Sequence, residues 1–274
     1  MAIRFNGRPG LVAYITCGDP DLDTSREVAL AAIRAGADVI ELGVPFSDPV
    51  ADGPVIQRAS ERALRHGTNL AGVLNVARQI RQQSDAGLII FSYLNPILQF
   101  GLTPQRANDA RAGAPGLEKF CAAASEAGVD GALITDLPVE EAGDYLRAMR
   151  AYTLAAVFLA APTSPDARLR KIAKHSRGFV YAISRTGITG ARQELAADAR
   201  DLVERLRPHT DLPIAVGFGV STPEQFAEVG SFADAAVVGS AIVQCIEKNQ
   251  GREVAAVTEF VSSLRADSLP LSCH

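Results

Sequence analysis

Three carboxylates in one stretch of the chain are the first candidates for catalysis. Glu41 interrupts the apolar run Val39–Leu42, and Asp48 and Asp52 follow on the next loop. Burial of an unpaired carboxyl raises its pKa towards the range that general acid–base catalysis uses. The alternative for Glu41 is a structural role in a pair with an arginine. The alternative for Asp48 and Asp52 is that they are solvated or cap a helix. Together, one buried and one loop carboxylate are able to form an acid–base pair around a substrate.

Glycines late in the chain favour a phosphate-binding site. Gly217-Phe218-Gly219 follows one short apolar run, and Gly239-Ser240 follows the next and begins a helical pattern. Glycine lets the backbone approach an anion closely, and the amide groups of a helix N-terminus bind phosphate. A lone Gly-x-Gly is more often a tight turn, so the prediction depends on the two sites occurring together.

A further candidate is the loop Ser184–Gly190, which is rich in glycine and hydroxyl side chains. At the mouth of a site such a loop is typical of a lid that closes over the substrate. A plain surface loop explains the composition equally well, and both interpretations stay open.

Lysines and histidines are absent from the positions where the carboxylates and glycines gather. They fall in predicted helices or are scattered away from strand ends, without the spacing of metal ligands. An imine-forming lysine and an imidazole metal site are therefore not expected, and chemistry here should depend on carboxylates. The residues are Lys119, Lys171, Lys174, Lys248, His66, His175, His209 and His274.

The elements that must position these residues alternate between short apolar runs and longer helical patterns. Start signals for helices include the capping box Thr24–Glu27 and the pair Thr222-Pro223. Eight such units predict a parallel sheet closed into a barrel, with the site at the carboxyl ends of the strands. The rival, an open doubly wound sheet, is favoured by a Gly-x-Gly-x-x-Gly after the first strand, and the turn Thr16–Pro20 has none. The predicted strands are Leu11–Thr16, Ala37–Leu42, Gly87–Tyr93, Gly131–Thr135, Thr153–Leu159, Gly178–Ile183, Pro213–Val216 and Ala235–Val238.

Composition places the chain among ordinary globular proteins. Its 274 residues fit one barrel domain, and we expect an inserted surface segment at 102–116. The net charge of −4 gives no basic field for nucleic acid or a membrane surface. The four cysteines are scattered and resemble free thiols of a reducing compartment, so we expect a cytoplasmic protein.

With these motifs in order, the sequence resembles the tryptophan synthase alpha-chain family from Tyr14–Pro20 to Glu247. The most specific part is Glu41–Pro54, which reads as the family signature almost letter for letter. The resemblance implies a single (β/α)8 TIM barrel that cleaves indole-3-glycerol phosphate to indole and glyceraldehyde 3-phosphate by a retro-aldol reaction. Further matches are Tyr93 with Asn95, Asp136-Leu137-Pro138, Tyr181, Arg185–Gly190, Gly217–Ser221 and Gly239-Ser240.

The resemblance also implies roles for single residues. Glu41 matches the family's general acid–base, and Asp52 matches the carboxylate that binds the indole N–H. Thr189 matches the lid residue that reaches towards the aspartate. Gly190, Gly217, Gly219, Gly239 and Ser240 match phosphate-binding positions, and Tyr14, Tyr181 and Phe218 match positions around the substrate.

The resemblance implies that this chain binds no cofactor. It also implies a partner, a beta subunit that carries pyridoxal phosphate and receives the indole through a tunnel. The expected assembly is a tetramer of two alpha and two beta chains. Residues 102–116 lie at the edge that faces the beta subunit in the family, so the details of docking stay open. The segment before the first strand is short, and Phe5 or a neighbour is expected to cover the barrel base instead of a helix.

Three other functions compete with this one. A stand-alone indole-glycerol phosphate lyase would have nearly the same site residues. A sugar-phosphate isomerase or epimerase barrel explains the late glycines but not Glu41–Pro54. A catalytically silent chain that only activates a partner is disfavoured because Glu41 and Asp52 are both intact.

Overall fold

The computed structural model describes residues 3–6, 9–102, 115–183, 192–217 and 219–266. Within them nine strands form one parallel sheet in the order β5-β4-β3-β2-β1-β9-β8-β7-β6. Each strand is a short, largely buried apolar run, as expected for a parallel sheet covered on both faces. The strands are β1 Gly10–Thr16, β2 Val39–Gly43, β3 Gly87–Ser92, β4 Gly131–Ile134, β5 Ala155–Val157, β6 Leu159–Ala160, β7 Val180–Ile183, β8 Ile214–Gly217 and β9 Ala235–Val238.

The two ends of this sheet, β5 and β6, are halves of one barrel strand, so the sheet closes on itself. The predicted strand Thr153–Leu159 is interrupted at Phe158, and Thr153 stands in a turn with φ 57°. Across the interruption, the Tyr181 amide still donates to the Phe158 carbonyl at 3.2 Å. The fold is therefore the predicted (β/α)8 TIM barrel, with its fifth strand in two pieces.

Eleven α-helices in the described ranges surround the sheet, and none is long and apolar enough to cross a membrane. Thr222 caps its helix as predicted, because its hydroxyl accepts the Gln225 amide at 3.3 Å. The capping box predicted at Thr24 is wrong: Asp21 caps the first helix and accepts the Thr24 amide at 2.7 Å. The helices are α1 Leu22–Arg34, α2 Pro54–Arg65, α3 Leu70–Arg81, α4 Leu94–Leu98, α5 Pro115–Glu126, α6 Gly143–Ala151, α7 Asp166–His175, α8 Arg192–Leu206, α9 Pro223–Gly230, α10 Ser240–Lys248 and α11 Glu253–Ala266.

Side chains along each strand point alternately into the barrel and out towards the helices. On β1, Leu11 and Ala13 belong to the large core under the helices, whereas Val12 belongs to a separate core inside the barrel. Ile3 and Phe5 close the base of that inner core, and residues 3–6 form no helix. The other strand residues of the inner core are Val39, Ile89, Leu133, Val157, Phe179, Ala215, Ala235 and Val237. Of the predicted inserted segment 102–116, residues 103–114 lie outside the described ranges.

Aspartates at the base tie neighbouring strands together. Asp38, immediately before β2, is buried and accepts the Leu11 amide at 2.8 Å and an Arg265 guanidinium hydrogen bond at 2.6 Å. The same arrangement recurs before two other strands, so buried backbone amides at the base are satisfied by charged acceptors. The equivalent pairs are Asp130 with Leu88 and Arg81, and Asp234 with Ile214 and Arg207.

Replacing Asp38 by alanine should destabilise the protein by about 3 kcal/mol, because it removes one partner of a buried ion pair and orphans an amide. Urea unfolding measures the change. Asp144→Ala is the matched control, since the exposed pair of Asp144 with Arg147 should contribute less than about 1 kcal/mol. Equal losses in the two variants would contradict a bracing role for Asp38.

Candidate active site

The upper layer of the barrel interior carries the candidate catalytic residue. Because side chains alternate along a strand, the residue two positions after each inner-core residue also faces inwards. On β1 and β2 these are Tyr14 and Glu41, which lie opposite each other in the register of the two strands. The corresponding residues of β3, β7, β8 and β9 are Phe91, Tyr181, Gly217 and, at the end of the strand, Gly239.

Glu41 is fully buried in the barrel wall, and neither carboxyl oxygen has a hydrogen-bond partner within the described residues. The arginine pair that a structural role would need is therefore absent from that part of the chain. Burial raises the pKa of Glu41 to about 8, so the carboxyl holds a proton at neutral pH. A protonated carboxyl in an apolar wall is an acid that is ready to donate.

Asp52 lies on the loop after β2 and is held by Tyr93, the residue that follows β3. The Tyr93 hydroxyl donates to Asp52 Oδ2 at 3.1 Å and accepts the Ala51 amide at 3.0 Å. The Phe46 ring packs 5.0 Å from the Tyr93 ring and helps to fix it. Partial burial raises the pKa of Asp52 to about 6, and the Tyr93 hydrogen bond opposes that rise. The resemblance matched Tyr93 without implying a role for it, although its place two residues after the inward-facing Phe91 was the available signal.

Two phenol side chains, those of the buried Tyr14 and the partly buried Tyr181, interact electrostatically with both carboxyls. The pKa of Tyr14 is raised by burial and then by the charges of Asp52 and Glu41, and the same two carboxylates act on Tyr181. Both carboxyl groups therefore lie close enough to act on the same two phenols. Phe91 packs edge-on against Tyr14 with the ring centroids 5.2 Å apart. The result is a pocket wall of aromatic rings with one protonated and one mostly ionised carboxyl.

Two glycines make room for these phenols. A Cβ atom on Gly43 would lie 2.3 Å from the Tyr14 hydroxyl oxygen, and one on Gly217 would lie 2.8 Å from that of Tyr181. Both distances are too short for a real contact, so any side chain here would displace a ring. Gly217, predicted only as a phosphate-binding residue, therefore also has a packing role.

The candidate phosphate site is an exposed backbone corner beside this pocket. Gly219 has φ +82°, which only glycine adopts without strain. Gly239 caps α10 without any side-chain hydrogen bond, and Ser240 begins that helix at the surface. Uncapped amides and the helix dipole make this terminus suited to an anion. Gly190, Thr189, Phe218 and the remainder of the predicted lid Ser184–Gly190 lie outside the described residues.

In the part of the chain that the structure describes, no lysine and no metal-ligand group lies at the mouth. All four lysines are exposed on helices, as predicted. No three His, Cys, Asp or Glu side chains there form a group that could hold a metal ion.

The burial of Glu41 should make the protein less stable as the pH rises. The folded state keeps a proton that the unfolded state releases, so stability is lost between the unfolded pKa of 4.5 and the folded pKa of about 8. Glu41→Gln has no such proton, so its free energy of unfolding should exceed that of the parent by a margin that grows to several kcal/mol over this window. Urea unfolding from pH 5 to 8.5 measures the margin.

Glu61→Gln, a change at an exposed position of α2, is the control and should follow the parent protein at every pH. A margin for Glu41→Gln that does not change with pH would mean that Glu41 is ionised in the folded protein.

Comparison with known proteins agrees with this geometry. The sequence model of the family described as "Tryptophan synthase alpha chain" matches residues 2–268. A tryptophan synthase alpha chain of Solibacter usitatus is 51% identical over 247 residues, covering 90% of this chain and 87% of the relative. That of Geobacter sulfurreducens is 45% identical over 267 residues, covering 96% and 94%.

Solved structures show the same similarity in three dimensions. Tryptophan synthase from M. tuberculosis matches with a TM-score of 0.83 and 32% identity, covering 97% of this chain and 94% of that one. The alpha subunit from Legionella pneumophila str. Paris matches with a TM-score of 0.81 and 36% identity, covering 94% and 91%. On the family match and these identities, the chain belongs to the tryptophan synthase alpha-chain family, whose members are enzymes of tryptophan biosynthesis.

Proposed function

We propose that this chain is a carbon–carbon lyase that cleaves indole-3-glycerol phosphate to indole and D-glyceraldehyde 3-phosphate. The observation that carries the proposal is the buried carboxyl of Glu41, which has no hydrogen-bond partner among the described residues, together with the ionisable carboxyl of Asp52 that acts on the same two tyrosines. Two carboxyls whose environments separate their pKa values are suited to act as acid and anion in one reaction. The substrate proposed is the one that the resemblance to the alpha-chain family implies.

The proposed reaction begins with protonated Glu41, which donates its proton to C3 of the indole ring. The carboxylate of Asp52 binds the indole N–H and stabilises the positive charge of the resulting indolenine. Ionised Glu41 then takes the proton of the C3′ hydroxyl. The bond between C3 and C3′ breaks, its electrons return to the ring nitrogen, and the aldehyde is formed. Glu41 ends protonated, so the cycle closes without metal, imine or other cofactor.

The rest of the pocket is proposed to hold the two ends of the substrate. Tyr14, Phe91 and Tyr181 offer aromatic surface to the indole ring. The phosphate would bind the backbone of Gly217, Gly219, Gly239 and Ser240, where α10 begins. By resemblance, Gly190 completes the phosphate site, Phe218 contacts the substrate and Thr189 closes with the lid to exclude water.

Membership of the alpha-chain family implies a beta-subunit partner. We propose a tetramer of two alpha and two beta chains, with pyridoxal phosphate only on the beta chain. The resemblance supports this assembly. The free thiols of Cys17, Cys121 and Cys245 suit the reducing cytoplasm in which we expect the enzyme to act.

Indole release from indole-3-glycerol phosphate, with and without a tryptophan synthase beta subunit, tests the proposal. Slow release that the beta subunit accelerates is the expected result. Fast release that the beta subunit leaves unchanged would instead identify a stand-alone lyase. No release under either condition would overturn the proposed reaction and favour a silent barrel or another phosphate-binding enzyme.

The pH profile of kcat/KM should be bell-shaped, because activity needs ionised Asp52 and protonated Glu41 together. From the pKa values of about 6 for Asp52 and about 8 for Glu41, the maximum should fall near neutral pH.

Glu41→Gln should lower kcat by at least about 10²-fold while the protein stays folded. Near-normal turnover of that variant would exclude Glu41 as the acid.

Tyr93→Phe should shift the acidic limb of that profile to higher pH. The hydroxyl of Tyr93 donates to the Asp52 carboxylate and favours its charged form, so its loss should raise the pKa of Asp52 above about 6. Relative to the parent protein, the activity of Tyr93→Phe should therefore be lowest at pH 6 and should approach the parent value at pH 8. Tyr145→Phe is the control, because the Tyr145 hydroxyl bonds only the Ala132 carbonyl among the described residues. An unshifted limb would show that Tyr93 does not set the charge of Asp52.

A further inference from the structure

Two helices that flank the site are packed directly against each other. α2 begins at Pro54, just after Asp52, and α10 begins at Ser240, where the phosphate is proposed to bind. Ala59 of α2 and Val243 of α10 meet in a small buried cluster with Tyr14 of the pocket wall. The helix that follows the catalytic loop and the helix that follows the phosphate loop therefore share one apolar contact.

Charged side chains cross the rim of this contact. Arg58 of α2 binds Glu247 of α10 through two parallel hydrogen bonds, Nε to Oε1 and Nη2 to Oε2, both 2.9 Å long. Arg62, one turn further along α2, donates from Nη1 to the same Oε1 at 2.8 Å. Planar guanidinium–carboxylate pairs of this kind fix orientation as well as distance.

Arg62 extends the connection to the strand that carries Tyr14. Its Nε and Nη2 atoms donate to the two carboxyl oxygens of Asp19, each at 2.8 Å, and Asp19 is buried in the loop after β1. We call Asp19, Arg58, Arg62 and Glu247 the charge clamp. Hydrogen bonds from Arg58 and Arg62 hold the pKa of Glu247 at about 2, so Glu247 stays charged throughout the pH range of the reaction.

Folding stability alone does not account for the pairs that Arg58 and Arg62 make with Glu247. Half-exposed pairs such as Arg58 with Glu247 contribute at most about 1 kcal/mol to folding, and the Ala59–Val243 contact already joins the helices. What the paired, planar geometry adds is a fixed register between α2 and α10. A shift of one helix must then be followed by the other.

We propose that Glu247, through Arg58 and Arg62, is a positioning residue that transmits occupancy of the phosphate site at the start of α10 to the loop that carries Asp52. Phosphate binding at the N-terminus of α10 orders that helix, the clamp orders α2, and α2 fixes the preceding loop. Binding energy from the non-reacting phosphate is thereby used to place a catalytic carboxylate. The inference rests on the proposed function, because it needs a phosphate at α10.

Hydrogen exchange measured with and without inorganic phosphate tests the transmission in the full chain. In the parent protein, phosphate should slow amide exchange in residues 239–245 and also in residues 48–58, by about five- to tenfold in the second segment. In Glu247→Gln, the first segment should stay protected while the second loses its protection. Arg58→Gln, at a half-exposed side chain, should behave in the same way and serves if Glu247→Gln folds poorly.

A kinetic comparison separates transmission from simple structural damage. Glu247→Gln should lower kcat/KM for indole-3-glycerol phosphate by about tenfold but leave kcat/KM for phosphate-free indoleglycerol unchanged. General damage to the fold would lower both values. The control is Arg168→Gln, which breaks a comparably exposed Arg–Glu pair with Glu140 on another side of the barrel and should alter neither substrate's kinetics.

The outcomes of the exchange experiment are distinct. Protection of residues 48–58 that persists in Glu247→Gln would overturn the role of the clamp. Protection of residues 239–245 alone in the parent protein would overturn the inference and leave the proposed function standing. No effect of phosphate on either segment would overturn the phosphate site, and with it the proposed function.

Discussion

A carboxyl group without a hydrogen-bond partner in the described residues, buried in the barrel wall, is the constraint on which the rest of the site depends. Glu41 lies on β2 between residues of the inner and outer cores, where any ionised group is costly. The strand has no freedom to turn it away, because alternation along β2 places position 41 on the same face as Val39. The protein holds this group by keeping it protonated, and the retained proton is the one that the proposed reaction needs.

The surroundings of the two carboxyls explain how they divide the work. Glu41 is enclosed by the barrel, so burial alone sets its pKa. Asp52 lies on a loop, and the hydroxyl of Tyr93 opposes the effect of burial on its pKa. Between the two pKa values one carboxyl is an acid and the other an anion. The protonated state of Glu41 follows from its place on β2, and the ionised state of Asp52 follows from its contact with Tyr93 at the end of β3.

Local patterns in the sequence predicted most of the barrel and marked Glu41 and Asp52 as candidate site residues. Buried strands are short apolar runs, so an acidic residue within one of them is conspicuous, as Glu41 is. Gly219 and Gly239 were predicted to bind phosphate from their position after consecutive strands, and this stays a prediction. Features that depend on distant parts of the chain were missed. The hydrogen bond from Tyr93 to Asp52 joins residues 41 positions apart, and Glu247 is 189 positions from Arg58.

Two local predictions, the cap of the first helix and the unbroken fifth strand, were wrong. Asp21 and Thr24 are both good helix caps, and the pattern after them does not decide which one is used; Asp21 is, and the helix begins at Leu22. The interruption of the fifth strand at Phe158 coincides with a change of partner, because the first half pairs with β4 and the second half with β7. Apolar residues alone do not show where such a strand changes partner.

The protonation of Glu41 in the empty site is the central claim, and infrared difference spectroscopy tests it directly. Spectra of the parent protein minus Glu41→Gln, recorded from pH 5 to 9.5, isolate the carbonyl stretch of a protonated carboxyl at position 41. The account predicts a band that is present at neutral pH and half lost near pH 8. A band that has already disappeared at pH 6 would show an ionised Glu41 and contradict the account.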